Sequence, residues 1–137
     1  MLFVFDPLGD VLVDAIRTGE ATQDEWSALR RALIAAGSFL RREVDDLPTI
    51  LSLIERTPAL CARLREKQTE WRPRIVAELK RINATPPEPP IITSVRVAAA
   101  LESLWIILGE WAASGAGDDL NNLLDAALGA LSPTARG

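Results

Sequence analysis

The sequence predicts an all-α fold, a single bundle of five to six helices with a proline-rich connector. Apolar residues recur at i, i+3, i+4 and i+7 through most of the 137 residues. Cap residues followed by proline or closed by glycine punctuate these runs, and no stretch except Leu2 to Phe5 has the character of a strand.

Asp6 before Pro7 reads as an N-cap with a first-turn proline, and Gly19 supplies a stop, which predicts a first helix buried through Leu8, Val11, Leu12, Ala15 and Ile16. Thr22 and Glu25 have the spacing of a capping box at the start of a long second helix toward Asp45. Trp26, Leu29, Leu33, Ala36, Leu40 and Val44 share one face of it. A second stripe, Ala28, Ala32, Ala35 and Phe39, lies about 120° away and is either packed within the chain or offered to a partner. A short third helix ends near Arg56, with Leu47, Ile50, Leu51 and Ile54 inward. Thr57 and Pro58 open a fourth that runs to about Asn83, kinked or restarted at Pro73 because proline removes a backbone donor.

Ala84 to Pro90 reads ATPPEPP, an extended strap of ~20 Å at ~3.1 Å per residue. Residues 1–83 are thus a four-helix part, 84–90 the strap, 91–131 a helical pair and 132–137 a frayed tail, all in one domain. Thr93 or Ser94 caps the fifth helix, whose apolar arc is Val97, Leu101, Leu104, Trp105, Leu108, Trp111 and Ala112. Arg96, Ser103 and Glu110 form its wet stripe. Asp118 caps the sixth, which buries Leu120, Leu123, Leu124, Ala127, Leu128 and Leu131.

Composition narrows the chemistry. There is no His and no Tyr, and Cys61 is the single cysteine, so the usual proton shuttle, the commonest metal ligand and any intrachain disulfide are absent. Phosphate-cradling and esterase motifs are missing as well. The chain is read as a non-enzyme with no cofactor and no metal. Asp6, Asp10 and Asp14 line one side of the first helix without the converging ligands that an oxygen-only metal site needs. Asp118, Asp119, Asn122 and Asp125 read as capping plus a solvated face. Cys61 reads as a core hydrophobe. The short N-terminal apolar run lacks a signal peptide's charge pattern, and Arg96, Glu102 and Glu110 interrupt the stretch Val95 to Ala113, so no membrane association and a cytoplasmic location are expected.

The net charge of −4 is unevenly spread. Residues 1–25 hold six acids and one base, 26–82 hold twelve bases and seven acids, and 83–137 hold six acids and two bases. Arg30 and Arg31 recur as Arg41 and Arg42 on the same azimuth about 16 Å along the second helix. The charge pattern and the second stripe make Arg30, Arg31, Phe39, Arg41, Arg42, Arg72 and Arg74 the candidate partner-binding residues.

The function expected from these features is a protein–protein interaction module: an adaptor, inhibitor or small regulatory subunit that binds another protein or itself. The alternative is a helical subunit of a nucleoprotein assembly that touches phosphates through the basic middle segment, ranked lower because of the acidic total. A third reading is an all-α sensor with an apolar ligand near Trp105 and Trp111.

Overall fold

In a computed structural model, which describes residues 5–19, 24–82, 89–115, 117 and 119–130, the apolar periodicity resolves into six α-helices. They are α1 (Leu8–Arg17), α2 (Glu25–Glu43), α3 (Leu47–Arg56), α4 (Pro58–Ile82), α5 (Pro90–Ala113) and α6 (Leu120–Ala130), and no strand occurs among the described residues. Residues 2–4 of the candidate strand, Thr22, most of the proline strap, Asp118 and the tail from Leu131 lie outside the described residues. Phe5, at the edge of that candidate strand, is instead fully buried and packs edge-on against Trp105, with ring centroids 5.6 Å apart.

The helices surround α5, which packs against α2, α3, α4 and α6, while α1 rests on α2 and α4. Val97, Ala100, Leu104 and Leu108 of α5 and Leu120, Leu124 and Leu128 of α6 are fully buried. Each such leucine contributes about 1.5–3 kcal/mol by leaving water. By length and composition α5 could also cross a membrane, with a mean hydropathy of 1.8 in its most apolar window. A third of that window is buried against four neighbouring helices, which accounts for part of that apolarity.

Several helix starts differ from the sequence expectation. The N-cap of α2 is Asp24, whose carboxylate accepts the Ser27 N–H at 2.8 Å. Glu25 is therefore not the return arm of a capping box. It is buried and accepts from Thr93 Oγ1 at 2.7 Å and Arg96 Nη1 at 3.1 Å, tying the start of α2 to α5. Thr93 is correspondingly inside α5 and not its cap, because the helix already begins at Pro90, where a missing N–H costs nothing. Arg96 leaves the expected wet stripe to make this pair. Asp6 makes no cap bond and pairs with Lys67.

At the start of α3, Asp46 is left-handed (φ 55°), a conformation its short polar side chain tolerates, and its carboxylate accepts from Thr49 Oγ1 at 2.9 Å. The fourth helix does not restart at Pro73 and is continuous from Pro58 to Ile82. Pro73 lies on the exposed side, where water can take up the carbonyl that the missing donor leaves free.

On α2, Trp26, Leu29, Leu33, Ala36 and Leu40 are buried as the first stripe requires, and Ala28 and Ala32 of the second are buried too. Phe39 and Ala35 are half-buried. Trp26 Nε1 donates to the Leu128 carbonyl at 2.8 Å, fastening α2 to α6. The charged segments neutralise one another across helix surfaces: Arg30 pairs with Asp125, Lys67 with Asp6 and Arg74 with Asp10.

At Gly9, α1 approaches α4 closely, and a Cβ there would stand 2.6 Å from Cδ1 of the Trp71 indole and 2.8 Å from Arg74 Nη1. The rigid indole cannot step aside cheaply. Gly9→Ala should therefore destabilise the chain by about 1–3 kcal/mol in urea denaturation, despite the ~1 kcal/mol that alanine adds to helix propensity.

The buried Glu78 pairs with Arg81 (2.6 Å) and Arg17 (3.5 Å). The Arg81 hydrogen bond chiefly, with Arg17 assisting, holds its carboxyl below the usual glutamate value against the opposing pull of burial. A group with a lowered folded-state pKa stabilises fully above its unfolded value and loses that contribution as pH falls through the folded one. Glu78→Gln should lower the thermal midpoint at neutral pH and flatten its decline on acidification below about pH 5, as followed by circular dichroism.

Candidate functional site

Where α3, α4 and α5 diverge they leave a groove of about 420 Å³, within the range of small-molecule sites. From α3, Leu51 and Ile54 supply buried apolar wall and Glu55 stands at the rim. From α4 come Cys61, Leu64, Arg65 and Gln68. The Cys61 thiol is half-buried and donates to the Ile54 carbonyl at 2.9 Å, so it bridges α4 to α3 rather than filling the core. The α5 wall is Glu102, Trp105, Ile106, Gly109, Glu110 and Ala113. Trp105 Nε1 is buried without a hydrogen-bond partner.

Glu55, Glu102 and Glu110 are exposed, and no intrachain salt bridge or side-chain hydrogen bond engages their carboxylates among the described residues. No group of acids, cysteine or histidine that could hold a metal ion occurs there.

The second feature is the outward face of α5. Ile91, Val95 and Ile106 are 66%, 59% and 57% exposed, and Ala98, Ala99, Gly109 and Ala113 fall on the same side at helical spacing. Ile106, Gly109 and Ala113 belong to both features.

The candidate residues read from sequence are placed elsewhere. Arg30 faces Asp125 of α6, Arg31 donates to the Ala15 carbonyl of α1 at 3.0 Å, and Arg74 pairs with Asp10 of α1. Arg41 stands 5.8 Å from the Trp111 ring centroid, and Arg42 lies equally far from Phe39 while pairing with Glu43. Arg72 lines a smaller depression with Pro73 and Ser94. Only Phe39 and Arg42 are brought together. The groove was touched only by the third reading, through Trp105, which lines it while Trp111 does not; the α5 face was missed, although Glu102, Ile106, Gly109 and Ala113 at i, i+4, i+7 and i+11 carry a helical-face signal.

A family model of the TetR C-terminal type, described as the MftR C-terminal domain, matches residues 23–136. The chain belongs to this TetR C-terminal domain family. Comparisons with curated proteins and with solved structures found no match. Membership overturns the expected function: a TetR-type C-terminal domain belongs to a transcriptional regulator, not to an adaptor, an inhibitor or a subunit of a nucleoprotein assembly. It also corrects the ranking of nucleic acid as the lesser partner, since TetR regulators bind DNA. The family is one of regulators, not of enzymes, and its domain is all-α, as this chain is.

The groove yields a direct structural test. A Cβ on Gly109 would meet only Glu55 Oε2, at 4.0 Å. Gly109→Leu should therefore raise stability by about 0.5–1 kcal/mol through helix propensity while filling the groove, seen as a higher thermal midpoint with unchanged helicity.

Proposed function

We propose that this chain is the ligand-receiving and self-associating part of a TetR-type transcriptional regulator acting in the cytoplasm, with a second copy seated on the outward face of α5. The observation that carries the reading is that apolar face: Ile91, Val95 and Ile106 stay more than half exposed on the helix around which the other elements pack. Single exposed apolar side chains need no explanation, but several aligned on one helix mark an interaction surface. A two-fold contact uses the same patch on both copies, and a helix face of this kind is self-complementary. Family membership supplies the context, because TetR-type domains typically dimerise.

The groove beside that face supports the ligand-receiving half of the reading. It has apolar walls, a few polar groups at the rim and the size of a small-molecule site. In such a regulator DNA binding is the output, and this chain contributes the sensing and pairing.

The full chain should be a dimer by multi-angle light scattering at micromolar concentration. Val95→Glu should weaken self-association at least about tenfold by placing a charge from each copy in the interface, with helicity retained because Val95 is exposed within one copy. A monomeric wild type, or a Val95→Glu variant that dimerises as well as the parent, would remove the self-association reading.

A further inference from the structure

The apolar wall of the groove accepts hydrocarbon from almost any ligand, so selection rests on the charged rim. Glu55, Glu102 and Glu110 face a single opposing cation, Arg65. Other acids, Glu66 and Glu70 among them, also lack an ion pair among the described residues, but Glu55, Glu102 and Glu110 are three such carboxylates gathered around one groove. They do not form a metal-binding group. An anion would bring its charge against a net excess of carboxylate, at a cost of several-fold in affinity per unpaired acid at this degree of exposure. A cation is favoured by the same rim and also by Trp105, since indole faces attract quaternary ammonium groups.

We propose that this groove binds an organic cation with an apolar tail, its charged head among Glu55, Glu102 and Glu110 beside Trp105 and its tail along Leu51, Ile54 and Ile106. The inference rests on the reading of this chain as the ligand-receiving part of a TetR-type regulator, and it names the chemical class of that ligand.

The test uses two probes of equal tail length and opposite charge, decyltrimethylammonium and decanoate, each kept below its micellar concentration. Both are titrated into the full chain by calorimetry, with tryptophan emission followed in parallel. Decyltrimethylammonium should bind at least about tenfold tighter than decanoate. Replacing Glu55, Glu102 and Glu110 together by Gln should remove most of that preference, and all three are exposed enough for the variant to fold. Gly109→Leu should abolish binding of the cation without loss of helicity.

Equal binding of the two probes, or a cation preference that survives the triple Gln substitution, would overturn the proposal. If decanoate binds more tightly and Gly109→Leu blocks it, the groove is a ligand site and the ligand-receiving reading stands, while the cation assignment falls. If neither probe binds at millimolar concentration, the cation assignment and the groove as ligand site fall together. The self-association reading is then judged separately, by light scattering on the Val95→Glu variant.

Discussion

The fold depends on one helix having four neighbours. Because α5 packs on α2, α3, α4 and α6, a broad arc of it must be apolar, and its side chains at Val97, Leu104 and Leu108 are completely removed from water. This burial is non-directional and would tolerate sliding. Directional bonds restrict it: Glu25 takes bonds from Thr93 and Arg96, and Trp26 donates to the Leu128 carbonyl. Adjacent residues of α2 thus fasten α5 at its start and α6 near its end. A buried carboxylate is costly unless its oxygens are satisfied, and here one oxygen has a hydroxyl donor and the other a guanidinium.

The same constraint shapes the candidate surfaces. A helix with four neighbours keeps an outward face, and on α5 that face divides along its length. The N-terminal half, with Ile91, Val95 and Ala98, is apolar. The C-terminal half alternates Ile106, Gly109 and Ala113 with Glu102 and Glu110. Small residues at 109 and 113 keep the wall low, so α3 and α4 approach α5 without closing over it. Gly109 has no neighbour nearer than 4.0 Å to the position a Cβ would take, whereas Gly9, at a true helix crossing, has one at 2.6 Å. Glycine thus marks close packing in one place and open space in another.

The helices and their inward faces were legible because burial follows the 3.6-residue period. Leu120, Leu124 and Leu128, or Leu47, Leu51 and Ile54, need only that period to be placed in the core. Helix starts were less legible. Thr22 and Glu25 satisfied the capping-box spacing, but Asp24 competed for the cap and Thr93, 68 residues distant, claimed the Glu25 carboxylate. A local rule has no access to such a partner. Arg96 shows the same limit: it has the period of a wet stripe and is drawn away by a buried charge. Trp105 alone pointed toward the groove, and its rim was illegible for a related reason, since Glu55, Arg65 and Glu110 converge only through the angles at which three helices cross. Family membership was hidden too, because it resides in the pattern over residues 23–136 and in no short motif.

Ile106 lies where the two surfaces meet. It is about 16 Å along the helix from Val95 at 1.5 Å per residue, and it is both groove wall and part of the outward stripe. A ligand in the groove and a second copy on α5 would therefore share a side chain without sharing a site. Thermodynamics sets what such proximity can do: a ligand shifts an equilibrium only by the difference in its affinity for the two states. If Ile106 and the helix around it keep the same arrangement in the monomer and the pair, groove occupancy leaves self-association untouched. If its packing differs, each event changes the other's affinity by the same factor. Under the proposed function, communication between ligand binding and pairing would thus run through the arrangement of Ile106 and the stretch of α5 that the two surfaces share.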